Sequence, residues 1–280
     1  MELTPRAQLV DRIEAGIDWL SCTLPLDALG AERWYAQAQH VILAIGREGY
    51  EVNERSLLGF DGISAGNNFV GCNQERVYLQ ISSHHADEFI RTVDRDDLHY
   101  SRIDVQNTVW FTEEQTDIAK EVFDVLSHNN EHIQRSRVRS FRIIIGSDGG
   151  DTVYIGSTTS EQQARIYNKA RQTEKEHYQN AWRYEICLRD RNAGSFMRNW
   201  RAEIDDPVRC CLGYVHTWLL TRCIPLDYFR DHPVVAIPKQ RSAPTEVDSK
   251  LRWLKRQVAP SIEFLTERGY RDSVLEALGL

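Results

Sequence analysis

Apolar and polar residues alternate with a period of two along much of the chain before residue 190. This pattern is typical of half-buried strands, because successive side chains of a strand point to opposite faces. Strands are predicted at 16–23, in three short runs within 54–82, and at 100–110, 138–145, 152–155, 165–169 and 182–186. The glycine-rich stretch 146–150 is predicted to be a hairpin turn, because the Lys-Ser/Thr pair of a phosphate loop does not follow it.

Apolar residues recur at helical spacing in other segments. Helices are predicted at 31–48 and 86–93, from Ile118 onward, and from Pro207 to about residue 222. Thr112 with Gln115 forms a predicted capping box ahead of the third helix, and Asp206 is the predicted N-cap of the fourth. Residues 1–14 are predicted to form a short helix or arm before the first strand.

The order of these elements predicts the fold class. Strands that cluster around hairpin turns indicate an α+β protein with a mainly antiparallel central sheet, flanking helices and a helical C-terminal region. Residues 1–230 are predicted to form the main domain, and 231–247, which hold three of the eight prolines, an extended linker. Residues 248–280 are a predicted helical tail that Pro260 interrupts and in which Gly269 ends a segment.

Composition narrows the class of protein. Hydrophobic residues make up 41% of the 280 positions and charged residues 27%, as in ordinary globular proteins. The chain lacks an apolar run of about 20 residues, and its N-terminus is polar, so we expect no membrane span and no secretory signal. The six cysteines show no CxxC pairing and are expected to be reduced and buried in a cytoplasmic protein.

A net charge of −7 counts against a general basic coat for nucleic acid. The most basic window is the run RSRVRSFR, which contains no acidic residue and supplies Arg135, Arg137, Arg139 and Arg142. Two interpretations stay open for this window: a solvated strand edge, or a local groove that contacts DNA phosphates.

The strands at 165–169 and 182–186 carry polar residues that share a face. Alternation puts Arg165, Tyr167 and Lys169 on one face of the first strand, and Arg183 and Glu185 on one face of the second. A tyrosine hydroxyl between cations and near a carboxylate is suited to attack on a phosphodiester. The alternative is a ladder of arginine–carboxylate pairs that only stabilises the sheet.

A third strand adds Asp104, which alternation places on the same face as Arg102 and Gln106. The oxygen ligands of Asp104 and Glu185 suit Mg²⁺ or Mn²⁺. His84 and His85 are adjacent, so on a strand they point to opposite sides and are not expected to share a metal ion.

The run TVYIGSTTSEQQARIYNKARQTEKE, followed by WRYEICLRD, resembles the Rep-trans family of rolling-circle replication initiators. That family includes plasmid and filamentous-phage initiators and related relaxases of conjugative elements. The shared pattern is a strand ending in Gly-Ser, then Arg-Ile-Tyr-Asn-Lys, then an aromatic-Arg-x-Glu strand. Asp18 in IDWLSCT, Asp104 in SRIDVQ and the late run LRWLKRQVAP also resemble family motifs.

The resemblance implies that Tyr167 attacks origin DNA, becomes linked to a 5′ phosphate and leaves a free 3′ hydroxyl. It implies that Asp104, Glu185 and Asp18 hold the metal ion, and that Arg165, Lys169 and Arg183 hold the phosphate. The chain departs from the family pattern in two places. Gly156-Ser157-Thr158 stands where Gly-Ser-Arg is common, and Asn107-Thr108 stands where a second aspartate is common.

The first functional hypothesis is therefore a metal-dependent enzyme that nicks and rejoins one origin. A conjugative-element relaxase with the same chemistry and a DNA-binding regulator that does not cut are the alternatives. The expected partner is origin DNA, single-stranded or extruded as a hairpin, with bases stacked on Trp110 or Tyr184. A single catalytic tyrosine favours a homodimer, although Tyr178 or a water molecule can be the second nucleophile. Three roles stay open for the helical tail: it dimerises, binds a host helicase or contacts DNA.

Overall fold

The computed structural model describes residues 4–92, 95, 97–132, 138, 140–146, 150–173, 175–202, 206–235, 254 and 258–278. The chain divides into two compact units, Met1–Pro238 and Lys239–Leu280. The domain boundaries expected at 230 and 247 stay predictions, and residues 236–247 of the proposed linker lie outside the described residues.

The first unit is built on one antiparallel sheet, of ten strands in the described part of the chain. In chain order the strands are β1 Val10–Pro25, β2 Val52–Leu57, β3 Phe60–Ala65, β4 Asn68–Cys72, β5 Arg76–Ser82, β6 His99–Phe111, β7 Phe141–Ile144, β8 Thr152–Ile155, β9 Gln162–Asn168 and β10 Ala181–Arg189. Their order in the sheet is β2-β3-β4-β5-β1-β6-β10-β9-β8-β7. The two longest strands, β1 and β6, therefore lie in the middle of the sheet.

The helices of the first unit are α1 Ala31–Arg47, α2 His84–Thr92, α3 Ile118–His132, α4 Lys169–Thr173, α5 Asp190–Ala202 and α6 Pro207–Leu220. Apolar residues of the sheet and of α1, α3, α5 and α6 form one buried cluster, which includes Leu20, Ile103, Ile166 and Trp218. Burying this apolar surface is the main stabilising contribution to such a fold. The predicted α+β class, with a mainly antiparallel sheet and flanking helices, is confirmed.

The period-two pattern separates the two faces of the central strands. Ile103, Val105 and Val109 of β6 belong to the helix-covered core, whereas Asp104 and Thr108 point to the other face. That second face carries the polar side chains of β6, β9 and β10. It is where the candidate site lies.

Several local predictions were wrong. β1 begins at Val10, so the expected arm at 1–14 is partly strand, and the segment 54–82 contains parts of four strands, not three. Thr112 does not cap α3, which begins at Ile118; its hydroxyl donates to Leu9 O at 3.3 Å. Gln115 accepts a hydrogen bond from Arg6 Nε at 2.8 Å instead of closing a capping box. Both side chains of the expected capping box are therefore hydrogen-bonded to residues near the N-terminus instead.

The predicted fourth helix is confirmed as α6. Asp206 accepts a hydrogen bond from the Arg209 amide, and Pro207 occupies the first turn, as the cap pattern requires. Near the chain's end the second unit contains α7 Ala259–Glu267 and α8 Arg271–Leu278. Pro260 lies in the first turn of α7 and so begins a helix, where a break was expected. Gly269, with φ +85°, lies between the two helices, as predicted.

All six cysteines are free, as expected for reduced thiols. Four of them are buried, Cys72 is half-buried and Cys223 is exposed. Among the described residues, the helices are too short or too polar for any to cross a membrane.

Candidate active site on the polar face of the sheet

Cross-strand register brings the predicted site residues together. Arg165 of β9 is paired with Glu185 of β10, and Tyr167 is paired with Arg183. On the neighbouring strand β6, Thr108 is opposite Arg183. Directly opposite residues of antiparallel strands have Cβ atoms about 4.5–5.5 Å apart, so these side chains form one polar layer. The predicted faces for Arg165 and Tyr167, and for Arg183 and Glu185, are the observed ones.

Tyr167 lies at the centre of this layer and is 5% exposed. Its hydroxyl donates a hydrogen bond to Glu185 Oε2 at 3.1 Å. Burial raises the pKa of Tyr167 well above its usual range, and the charge of Glu185 raises it further, while Arg183 and Arg165 act in the opposite direction. The resting side chain is therefore a neutral phenol already in contact with a proton acceptor.

Asp104 and Glu185 form a pair of carboxylates that are almost fully buried. Burial, and then the neighbouring charge of Asp104, raises the pKa of Glu185. Two guanidinium groups offset this charge. Arg102 binds Asp104 in a bidentate manner at 2.8 and 2.5 Å, and Arg165 forms an ion pair with Glu185 while its Nη2 lies 3.6 Å from Asp104 Oδ2.

Asp18 makes a different contact from the one expected of a metal ligand. It lies at an irregularity in the pairing of β1 with β6, between Ile17 and Trp19. Its Oδ1 accepts from Arg183 Nη1 at 2.9 Å, and Arg183 Nε donates to Thr108 Oγ1 at 3.0 Å. Asp18 therefore neutralises a buried arginine, which itself faces Tyr167.

The three predicted metal ligands do not form a compact set. Among the described His, Cys, Asp and Glu side chains, the one group of three with ligand atoms within 4.8 Å of one another is Glu48, His84 and His85. Asp104 and Glu185 are close to each other, and their carboxylate oxygens suit a hard divalent ion. The guanidinium of Arg165 contacts both carboxylates, so a metal ion there requires Arg165 to move.

Lys169 is near Tyr167 but not on its strand. It is the first residue of α4, since β9 ends at Asn168. Its Nζ lies 5.7 Å from the ring centroid of Tyr167 and 5.3 Å from that of Tyr178. Burial, and then the charge of Arg183, lowers the pKa of Lys169 to about 8. This value makes Lys169 a proton donor or acceptor near neutral pH.

A cavity of about 300 Å³ opens beside Tyr167. Its lining includes Thr152, Tyr154, Arg165, Tyr167, Asn168 and Arg171. Arg171 was missed by the sequence reasoning, although it stands two residues after the motif Arg-Ile-Tyr-Asn-Lys. It is exposed, and it forms an ion pair with Glu114 at 2.6 Å.

Of the four arginines expected to contact DNA, the structure describes one. Arg135, Arg137 and Arg139 lie outside the described residues. Arg142 is exposed on β7, and its guanidinium lies 4.7 Å from the ring centroid of Tyr154, which is paired with Arg165. The prediction of base stacking on Tyr184 was wrong, because this side chain is 1% exposed and its hydroxyl contacts Tyr228.

Trp110 and Asn107 also differ from the expectation. Trp110 is buried between Arg12, 4.2 Å from its ring centroid, and Tyr178, so it has no free face for a base. Asn107 points to the helix-covered face, where its Nδ2 donates to Leu212 O at 3.4 Å. Asn107 therefore does not point to the polar face and does not take the place of the second aspartate that is common in the family.

Comparison with known proteins bears on this site. Residues 101–208 match the model of the Rep_trans family, described as replication initiation factor. The resemblance inferred from the sequence is confirmed over this segment. It contains Asp104, Tyr167 and Glu185.

A solved structure has the same fold as this chain. The rolling circle replication initiator protein from Geobacillus stearothermophilus aligns with a TM-score of 0.53 and 18% sequence identity, covering 81% of this chain and 94% of that one. At this identity the likeness shows a shared fold. The aspartate kinase of Clostridium acetobutylicum aligns with a TM-score of 0.18, at 13% identity over 75% of this chain and 36% of that one. This score is too low to indicate a shared fold. No curated protein matches the chain.

Proposed function

We propose that this protein initiates rolling-circle replication by nicking one strand of origin DNA, with Tyr167 as the nucleophile. The observation that carries the proposal is the contact of the Tyr167 hydroxyl with Glu185, in a polar layer that also presents Arg165, Arg183 and Lys169. The match of residues 101–208 to replication initiation factors supports the same class of reaction.

The chemical step is an exchange of phosphodiesters. Tyr167 Oη attacks phosphorus, its proton passes to Glu185, and the bond from phosphorus to the 3′ oxygen breaks. Lys169, with its pKa of about 8, supplies the proton that the 3′ oxygen takes. Arg165 and Arg183 stabilise the negative charge that develops on the phosphoryl oxygens. The phosphotyrosine bond keeps the energy of the original ester, so rejoining needs no nucleotide cofactor.

The proposal includes a divalent metal ion, Mg²⁺ or Mn²⁺. Asp104 and Glu185 would hold it, because both are buried carboxylates next to each other and a cation relieves their repulsion. Asp18 is not part of this set while it is paired with Arg183. When bound, the ion would polarise the scissile phosphate and stabilise charge in the transition state.

A path for single-stranded DNA leads across the polar face. Arg142 on β7, the ring of Tyr154 on β8 and Arg165 on β9 follow one another across neighbouring strands. Phosphate contacts position the backbone, and Arg171 at the cavity adds a further exposed cation. This local basic row reconciles DNA binding with a net charge of −7.

The test is incubation with supercoiled origin DNA and Mg²⁺ or Mn²⁺, comparing the wild type with Tyr167→Phe. We expect nicked DNA and a covalent protein–DNA adduct with the wild type and neither with the variant, whose ring still fills the same space. Tyr50→Phe, an exposed position away from the site, is the matched control. Equal nicking by the wild type and Tyr167→Phe would exclude Tyr167 as the nucleophile.

The alternatives give other outcomes in the same assay. A relaxase would nick a transfer origin rather than a replication origin, with the same dependence on Tyr167. A regulator would bind origin DNA in a gel shift and leave it uncut at every metal concentration.

A further inference from the structure

Glu48, His84 and His85 form a cluster that shares no residue with the polar layer of Tyr167. Their ligand atoms all lie within 4.8 Å of one another. His85 Nε2 lies 3.2 Å from Glu48 Oε2, and the two imidazole rings have centroids 3.9 Å apart. His85 is buried, whereas His84 and Glu48 are exposed, so the cluster is open to solvent on one side.

The backbone explains why adjacent histidines share one side. Ser83, between β5 and α2, has φ +60°, a left-handed conformation that turns the chain out of the strand. His84 and His85 are consequently the first two residues of a helix. Successive residues are about 100° apart around a helix, not 180° as in a strand, so both imidazoles can reach one point. The expectation that they do not share a metal ion assumed a strand, and the structure contradicts that assumption.

The third group is held by the end of another helix. Glu48 is the C-cap of α1, and its amide donates to the carbonyls of Ile45 and Gly46. Its position relative to the last turn of α1 is therefore defined by the backbone. The cluster joins the end of α1 to the beginning of α2, two helices that also contact each other through Trp34 and Phe89.

We propose that Glu48, His84 and His85 bind a borderline divalent metal ion of the zinc type. Two imidazole nitrogens and one carboxylate oxygen are a ligand set that zinc uses with a water molecule as fourth ligand. Nitrogen and oxygen ligands about 2.0–2.1 Å from a tetrahedral zinc ion lie about 3.3–3.5 Å from each other. The distance from His85 Nε2 to Glu48 Oε2, 3.2 Å, is close to this spacing, and His84 has a ring nitrogen within 4.8 Å of the ligand atoms of both.

This site differs in chemistry from the carboxylate pair at Asp104 and Glu185. Imidazole nitrogens favour zinc-like ions, whereas a set of oxygens alone favours Mg²⁺ or Mn²⁺. A backbone link connects the two regions, since the amide of Ser83 donates to Asp18 O at 2.7 Å. A metal ion that fixes the first turn of α2 therefore also fixes the strand segment that carries the partner of Arg183.

The test measures Zn²⁺ uptake by the full chain, without a histidine tag, after removal of metal by a chelator and in excess Mg²⁺. We expect one equivalent of Zn²⁺ by competition with a chromogenic chelator, and a rise in the melting temperature on addition of Zn²⁺. His84→Ala and Glu48→Gln should each weaken binding on the order of tenfold or more and remove the rise. Both positions are exposed, so neither variant opens a core cavity.

Matched controls are His40→Ala on the same helix α1 and Glu51→Gln, both exposed positions outside the cluster. They should bind Zn²⁺ like the wild type. Co²⁺ substitution adds a readout of ligand type: a visible spectrum without thiolate charge-transfer bands supports the site, and strong thiolate bands assign the uptake to cysteines. No uptake by the wild type, or unchanged uptake in both cluster variants, would overturn the proposal.

Discussion

The Tyr167 hydroxyl on β9 donates a hydrogen bond to Glu185 Oε2 on β10 at 3.1 Å. The two residues are diagonal neighbours, because Glu185 lies two positions along β10 from Arg183, the residue directly opposite Tyr167. The pKa of each is raised, in the first place by burial. A carboxylate with a raised pKa is a stronger base, so in the proposed reaction this contact would favour transfer of the phenol proton to Glu185. The contact supports a proposed role for Glu185 as the base, in addition to the role of metal ligand that the family resemblance implies.

The two roles of Glu185 predict different kinetics for Glu185→Gln. The amide oxygen still accepts a hydrogen bond from Tyr167 but cannot take its proton. If Glu185 is the base, we expect the rate of adduct formation at saturating metal to fall by about 10²–10⁴-fold. If Glu185 is a ligand only, more metal should restore the rate.

The control for this substitution is Glu176→Gln, an exposed residue in the short 3-10 helix that precedes β10. Circular dichroism and the melting temperature should confirm that both variants are folded. A rate for Glu185→Gln close to that of the wild type, at low and high metal alike, would contradict both roles.

The pKa of Lys169 predicts how nicking depends on pH. Burial and Arg183 lower this pKa to about 8, so the ammonium form is lost as the pH rises past that value. If Lys169 donates a proton to the 3′ oxygen, kcat/KM should decrease about tenfold per unit of pH above 8, because kcat/KM reports groups of the free enzyme. Lys169→Arg keeps the charge but does not release a proton in this pH range, so it should be slower than the wild type and lack this decrease. An unchanged profile would remove Lys169 from the mechanism.

Stability should depend on pH through the same group. Between about pH 8 and the usual pKa of 10.5, the unfolded chain binds more protons at Lys169 than the folded protein. The free energy of unfolding contributed by this group therefore increases with pH across that window. Lys169→Met removes the dependence, so its melting temperature should exceed that of the wild type most below pH 8 and least near pH 10.5.

The sequence predicted which side chains share a face of the sheet better than it predicted where the strands end. Alternation alone predicted that Arg165 and Tyr167 share a face, as do Arg183 and Glu185, because every second residue of a strand points to the same side of the sheet. It misplaced Lys169, since β9 ends at Asn168 and α4 begins one residue later. Where a strand stops depends on its neighbours: the amide of Asn168 donates to Asp151 O, a long-range contact that the local pattern does not contain.

Asp18, His84 and His85 have surroundings that the local sequence pattern does not contain. Asp18 matched a family motif, but it is bound by Arg183, 165 positions later. His84 and His85 were not expected to share a metal ion because their backbone was assumed to be extended. Ser83 has a positive φ, and a helix begins at His84 instead. Left-handed conformations at non-glycine residues carry little sequence signal.

The Asp18–Arg183 ion pair predicts a coupling energy that a double-mutant cycle can measure. Arg183 is almost fully buried, so Asp18→Ala removes its ion pair and leaves its hydrogen bonds to Thr108 and Tyr178. We expect this variant to lose about 3–5 kcal/mol of unfolding free energy. Adding Arg183→Met should recover part of that loss, because the unpaired charge is gone. Additive losses from denaturant unfolding would mean that the pair contributes nothing.

The hairpin between β2 and β3 gives a prediction independent of the active site. Leu58 and Gly59 connect the strands with φ values of +54° and +81°, so Leu58 holds a left-handed conformation that costs a branched residue about 1–2 kcal/mol. Its side chain is 73% exposed and contributes little to the core. Two-residue hairpin turns with positive φ at both positions favour Asn-Gly.

Leu58→Asn should therefore raise the free energy of unfolding by about 1 kcal/mol, measured by urea denaturation. Leu29→Asn is the matched control, since Leu29 is even more exposed and is not among the residues with positive φ. A stabilisation shared by both variants would point to reduced surface hydrophobicity in the unfolded or folded chain. A stabilisation of Leu58→Asn alone assigns the effect to backbone strain in the turn.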